Sequence, residues 1–133
     1  MSNESEHLKI LSMFHYVLAG IVGLFSCFPS LHLVMGILLA SGVIKDPNDP
    51  FLMQFVGWFF ILFASGFMLV GWTFATSLFL AGRYLQQRKR YTFCLVMAGM
   101  ECIFMPFGTV LGVFTIITLV KESVKAQFEA GHA

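Results

Sequence analysis

Residues 10–44, ILSMFHYVLAGIVGLFSCFPSLHLVMGILLASGVI, contain no Asp, Glu, Lys or Arg, and neither do residues 50–82, PFLMQFVGWFFILFASGFMLVGWTFATSLFLAG. A third stretch, residues 91–120, contains Glu101 as its single charged residue. Because moving a charge from water into hydrocarbon is costly, uncharged runs of this length are typical of helices embedded in lipid. In a chain of 133 residues, 11% charged and 58% hydrophobic, they predict an all-α integral membrane protein.

The rest of the composition excludes several classes of function. A formal net charge of +1 provides no basic surface for a nucleic-acid partner. Three cysteines lie in apolar stretches, and we interpret them as buried small hydrophobic residues: Cys27, Cys94 and Cys102. No CxxC, HxxxH or CxxCH spacing occurs, so no metal and no cofactor is expected. Without a GxSxG segment or a phosphate-binding glycine loop, the chain is predicted not to be an enzyme.

Prolines and charged residues divide the sequence into helical segments in two alternative ways. In the first topology four helices cross the membrane, at approximately residues 8–28, 52–82, 91–106 and 108–126. Residues 29–50 then form an outer loop that contains a short interfacial helix. In the second topology residues 30–44 cross the membrane, and residues 91–120 form one kinked span.

The distribution of Lys and Arg favours the first topology. It places seven cations on the cytoplasmic side, namely Lys9, Arg83, Arg88, Lys89, Arg90, Lys121 and Lys125. Lys45 alone lies outside, whereas the second topology divides the cations four to four. Because cytoplasmic loops of membrane proteins are enriched in Lys and Arg, we predict a multi-pass protein with both termini cytoplasmic. The predicted fold is a four-helix bundle whose last two helices form a hairpin at Met105–Gly108.

Small residues at helical spacing indicate where these helices approach one another. Helices in lipid associate mainly by close packing, which small side chains permit. The candidate packing positions are Gly108 and Gly112 in the last span, Gly71 and Ala75 in the second, and Gly20 and Gly23 in the first. Together they predict a compact bundle in the lipid bilayer, and they are compatible with a homo-oligomer. No protein partner is indicated by the sequence.

Glu101 and His15 are the candidate functional residues. An acidic side chain within a membrane helix is expensive unless it is neutral or paired, and such residues are functional candidates by default. Glu101 lies about ten residues, or roughly 15 Å, from the cytoplasmic start of its helix, and His15 has a similar depth. We therefore predict a His–Glu pair. It could serve as a buried polar clasp between helices, or as a titrating site for protons or cations.

Residues 91–128 also resemble a known pattern. The segments Met-Pro-Phe-Gly-Thr-Val-Leu-Gly, from residue 105, and Ser-Val-Lys-Ala-Gln-Phe, ending at Phe128, are similar to small bacterial multi-pass membrane proteins of unknown function. Those proteins share a Pro-x-Gly-Thr-x-x-Gly turn into the last helix and a Val-Lys/Arg-x-x-Phe ending. The resemblance implies a bacterial inner-membrane protein with a helical hairpin at Pro106, and it implies no activity.

Two hypotheses of function follow from the sequence. The first is a non-enzymatic structural or interaction protein that associates through its small-residue helix faces. The second is a small proton- or cation-linked transporter, or an oligomeric channel, that uses Glu101 and His15. The first is favoured because a pathway through one small bundle would need more polar lining than the sequence provides.

Overall fold

The computed structural model describes residues 2–104 and 106–131, and within them it contains α-helices and no β-strand. The helices in chain order are α1 (Ser2–Cys27), α2 (Ser30–Ala40), α3 (Pro50–Gln87), α4 (Tyr91–Glu101), α5 (Phe107–Val120) and α6 (Glu122–Ala130). The all-α class predicted from the sequence is therefore confirmed. One residue of the predicted hairpin turn, Met105, lies outside the described residues.

Two helical segments are long and apolar enough to cross a membrane, judged by length and composition. One is α1 continued by α2, over Asn3–Ala40, and the other is α3. Each contains 38 residues, or about 57 Å of helix, against a hydrocarbon core of about 30 Å. A third crossing results only if α5 and α6, which meet at a bend of 76°, are counted as one span. Four separate crossings remain a prediction.

The helix boundaries follow from local sequence. Helix α1 ends at Cys27, just before the ring of Pro29, as the sequence predicts for the first span. Helix α2 ends before Gly42, whose φ of 73° lies in the left-handed region that glycine adopts without strain. Helix α3 begins with Pro50 at its first position, and the backbone N–H of Leu52 donates to Asp49 Oδ1 over 3.3 Å.

The predicted last span, residues 108–126, is divided in the structure. Helix α5 ends at Val120, and the backbone at Lys121 is extended, with ψ of 129°. The chain bends at this point, and α6 follows with its apolar residues Val124 and Phe128 buried. They join a core whose other buried members are Leu8, Leu11, Leu85, Cys94 and Leu119. The terminal helix therefore packs against protein with its apolar side.

By its internal contacts the chain forms two compact units, one of Met1–Gly20 with Ala75–Ala133 and one of Ile21–Phe74. The second unit is held together by close helix contacts at glycine. A Cβ atom on Gly57 in α3 would lie 2.5 Å from the backbone nitrogen of Ala40 and 2.9 Å from the carbonyl oxygen of Gly36 in α2. Only glycine permits this approach, so these two glycines fix the contact between α2 and α3.

The outward surface of both long helices is apolar. Leu24 on α1 and Phe51 on α3 are each 78% exposed, and Leu69 and Val70 on α3 are each 71% exposed. In a water-soluble domain exposed apolar area of this extent would promote association. On a membrane helix the same side chains face lipid, as the uncharged stretches predict.

Candidate functional site

His15 lies on the inward face of α1. The buried residues of this part of α1 recur at helical spacing: Leu8, Leu11, Ser12, His15 and Ala19. Ser12 and His15 are both fully buried, although they are polar. The helix therefore carries its polar side chains toward protein in a segment where the outward positions are apolar.

Glu101 is the last residue of α4 and is also fully buried. It shares the inward face of α4 with the fully buried Cys94 and Ala98. The backbone carbonyl oxygen of Glu101 accepts a hydrogen bond from the backbone N–H of Phe104 over 2.9 Å, in the turn that follows α4. The end of the helix thus places the carboxyl group beside the hairpin turn.

The structure brings the two predicted residues together, since His15 Nε2 lies 2.9 Å from Glu101 Oε1. The other ring nitrogen, Nδ1, is 2.8 Å from the carbonyl oxygen of Leu11. A carbonyl oxygen can only accept, so Nδ1 carries a hydrogen. Nε2 is then the ring nitrogen that faces Glu101; it accepts in the neutral imidazole and donates in the imidazolium form.

The pair is close but incompletely satisfied. Within the described part of the chain, neither His15 Nε2 nor either carboxyl oxygen of Glu101 has an aligned hydrogen-bond partner. The contact of 2.9 Å therefore meets the distance of an ion pair without the alignment of a linear hydrogen bond. Glu101 Oε2 is left with no described donor. A buried oxygen without a donor costs about 1 to 3 kcal/mol, and more if it is charged.

Two features of the surroundings make Glu101 costly to bury without a partner. The side chain is removed from solvent, and it stands at the C-terminal end of α4, where the helix dipole presents its negative end. The imidazole of His15 is the one described group within ion-pair distance that offsets both effects. The pairing is therefore what makes an acidic residue tolerable at this position.

A close contact with α3 completes the enclosure of His15. Ser12 Oγ donates to the carbonyl oxygen of Gly82 over 2.7 Å. A Cβ atom on Gly82 would lie 3.2 Å from His15 Cβ and 3.2 Å from the carbonyl oxygen of Ser12. Even an alanine there would require its neighbours to shift by a few tenths of an ångström. The sequence prediction missed Gly82, although a small residue directly before Arg83 at the end of an uncharged stretch was a usable signal.

The predicted packing glycines of the last span lie against α4. A Cβ atom on Gly108 would lie 2.5 Å from the carbonyl oxygen of Glu101, and one on Gly112 would overlap the carbonyl oxygen of Ala98. Both glycines are buried. The spacing of four residues therefore brings the α5 backbone against α4 over one helical turn, directly beside Glu101.

The other predicted packing residues have different environments. Gly71 faces Ser26, whose hydroxyl would overlap a Cβ atom there, and Ala75 is buried. Gly23 is partly buried. Gly20 is exposed, and nothing lies within 4 Å of a Cβ atom built on it. Of the predicted positions, Gly20 is thus the one that remains open to a partner.

No cluster of three or more His, Cys, Asp or Glu side chains suitable for a metal ion occurs among the described residues. The described cysteines are free thiols, with Cys94 buried, Cys102 partly buried and Cys27 exposed.

Fold and site together define an all-helical protein with two candidate membrane-spanning helices and an enclosed imidazole–carboxyl pair. No family model matches the chain, and no curated protein and no solved structure matches it either.

Proposed function

We propose that this chain is a multi-pass protein of a bacterial inner membrane, with both termini cytoplasmic, that has a non-enzymatic structural or interaction role. The observation that carries the proposal is the enclosure of the His15–Glu101 pair, in which both side chains have no solvent exposure. A residue that moves ions must meet an aqueous path at some stage. A residue that joins helices needs only its partner, and this pair joins α1 to α4.

The remaining polar contacts of the first unit support the same role. Ser12 links α1 to α3, and Thr109 Oγ1 donates to the carbonyl oxygen of Cys102 over 2.8 Å, linking α5 to the end of α4. At the other end of the bundle, Ser123 Oγ donates to Glu4 Oε1 over 2.6 Å and links α6 to α1. Each of these three bonds connects two helical segments, so these polar groups hold the helices together.

Association with a second copy would use the helix surface that remains open. Gly20 is exposed within an uncharged stretch and has free space where a side chain would be, so another helix can approach its backbone closely. Gly108 and Gly112 cannot serve in this way, because α4 already occupies the space beside them.

The test is energy transfer between two C-terminally labelled copies in liposomes, measured as the lipid-to-protein ratio rises. Transfer above the random level is expected for the native chain. Gly20→Leu should reduce it, whereas Phe14→Leu, at an exposed position about 120° around α1 from Gly20, should not. Transfer at the random level at every ratio, or an equal loss in both variants, contradicts an interaction role for this face.

Proton or cation movement is the second candidate function. It is favoured by one observation, namely that His15 Nε2 lies 2.9 Å from Glu101 Oε1 while Glu101 Oε2 has no described donor. Flux into proteoliposomes that contain a pH-sensitive dye separates the two functions. Flux that Glu101→Gln abolishes without loss of assembly supports transport, and the absence of flux for every ion tried excludes it.

A further inference from the structure

The hairpin of α4 and α5 is too short to cross a bilayer. Helix α4 has 11 residues and α5 has 14, which correspond to about 16 Å and about 21 Å. The hydrocarbon core is about 30 Å thick. Neither α4 nor α5 is a candidate span by itself, whereas α3, and α1 continued by α2, are candidate spans.

The base of the hairpin is marked by charge. Arg88, Lys89 and Arg90 directly precede α4, and Lys121 directly follows α5. Cationic residues and an adjacent tyrosine, here Tyr91, are typical of the headgroup region. If the base lies there, the turn after α4 reaches only part of the way through the core.

The turn itself has the composition of a segment in hydrocarbon. Residues 102–107 read Cys-Ile-Phe-Met-Pro-Phe and contain no polar or charged residue other than the weakly polar thiol. Ile103 is 77% exposed, Phe104 53% and Phe107 78%. By contrast, the connection from α2 to α3 contains Lys-Asp-Pro-Asn-Asp, the composition expected where a chain emerges into water.

The backbone of the turn is also suited to an apolar medium. Non-helical backbone within a membrane must find its hydrogen bonds inside the protein. The backbone N–H groups of Cys102, Ile103 and Phe104 donate to the carbonyl oxygens of Ala98, Met100 and Glu101, respectively. The backbone N–H of Thr109 donates to the carbonyl oxygen of Phe104. The carbonyl of Cys102 accepts the hydroxyl of Thr109. Pro106 has no N–H to satisfy.

We propose that α4 and α5 form a re-entrant hairpin whose apolar tip, defined as residues 102–104, 106 and 107, ends in the hydrocarbon interior and contacts lipid acyl chains. The inference rests on the proposed membrane location and revises the number of crossings. The chain then crosses the membrane fully twice, through α1 with α2 and through α3, and both ends of the hairpin stay on the cytoplasmic side. Glu101, directly before the tip, lies inside the bilayer.

Labelling of one accessible cysteine in sealed vesicles of either orientation tests whether the tip lies in the hydrocarbon interior. Cys27→Ala and Cys102→Ala remove the accessible thiols, while Cys94 is buried and remains. In this background Ile103→Cys should not react with a membrane-impermeant maleimide from either side until the membrane is dissolved. Phe107→Cys gives a second variant should the first fail to fold.

Two reference positions separate failure of the hairpin from failure of the membrane placement. Asn48→Cys should react from the outer side and Lys89→Cys from the cytoplasmic side. If both react from one side, the proposed topology is wrong whatever the tip does. If they react from opposite sides and Ile103→Cys is labelled from the same side as Asn48→Cys, the hairpin crosses the membrane. If Ile103→Cys is labelled from the same side as Lys89→Cys, the hairpin lies at the cytoplasmic surface.

Protection from maleimide must also be distinguished from burial by a second copy. A nitroxide attached at Ile103→Cys should be relaxed strongly by oxygen, which concentrates in the bilayer centre, and weakly by a water-soluble nickel chelate. Restricted motion with little relaxation by oxygen would place protein against the tip and overturn the assignment to acyl chains. The high exposure of Ile103 in the fold excludes its own chain as the cause.

Discussion

Replacing His15 and Glu101 separately and together measures the energy that joins α1 to α4. In His15→Leu the carboxyl group keeps its place but loses the imidazole 2.9 Å from Oε1, which is the one described group within ion-pair distance of it. In Glu101→Leu the ring keeps its bond from Nδ1 to the carbonyl of Leu11, and only Nε2 is left without a partner. The double variant removes both polar groups and leaves an apolar contact.

The structure orders these variants. Each unpaired buried group costs about 1 to 3 kcal/mol, and the carboxyl group of His15→Leu, with two oxygens unpaired, lies at the upper end. Glu101→Leu lies at the lower end. The double variant should be less destabilised than the sum of the two single variants. Hydrogen bonds between membrane helices couple by about 0.6 kcal/mol on average and up to about 1.7 kcal/mol, so we expect a coupling energy of roughly 0.6 to 1.7 kcal/mol.

The assay is reversible unfolding in mixed micelles as the fraction of SDS rises, followed by far-ultraviolet circular dichroism. Glu101→Gln is the matched control, because its amide can still donate to Nε2, and it should lose less than about 1 kcal/mol. Strict additivity of His15→Leu and Glu101→Leu would refute the reasoning, since it means that the two side chains do not stabilise each other. Greater damage from Glu101→Leu than from His15→Leu would contradict the predicted order of the two variants.

Three further results are expected from the packing of the helices. Gly112→Ala should destabilise the hairpin by about 1 to 3 kcal/mol through overlap with α4, whereas Gly99→Ala, which faces open space on the same hairpin, should be neutral or slightly stabilising in the same unfolding assay. Gly57→Leu should disturb the contact of α3 with α2 and increase hydrogen exchange in α2, and unchanged exchange would contradict that contact. Glu4→Gln should weaken the bond to Ser123 and raise the rate of proteolysis within α6, and an unchanged rate would mean that this exposed bond contributes nothing measurable.

The helices themselves could be predicted from the sequence, because the cause of their formation is visible in it. In uncharged stretches such as residues 10–44, a backbone placed in lipid must satisfy its own hydrogen bonds, and a helix does this locally. The ends were also visible where Pro29 and Pro50 occur. Depth counted from the flanking cations was enough to suggest His15 and Glu101 as a pair, which the structure places in contact.

The helix contacts were less visible, because several glycines are equivalent in the sequence and only three-dimensional packing selects among them. Gly36 and Gly57 were not predicted to pack, although they form the closest approach of α2 to α3. Gly20 was predicted to pack and faces outward. The end of α5 at Val120 could not be predicted from the sequence either, because no Pro or Gly occurs there. The chain changes direction at that point because α6 then buries Phe128 against the core.

The placement of the chain in the membrane is the central claim, and reporter fusions at two positions test it most directly. An alkaline phosphatase domain fused after residue 47 should be active, because the proposed topology places the connection between α2 and α3 outside. The same domain fused after residue 133 should be inactive, and a fluorescent protein at that position should fluoresce, because the proposed hairpin returns the chain to the cytoplasm. An active phosphatase after residue 133 would contradict the proposed topology, since it would place Lys121 and Lys125, which follow the hairpin, on the outer side.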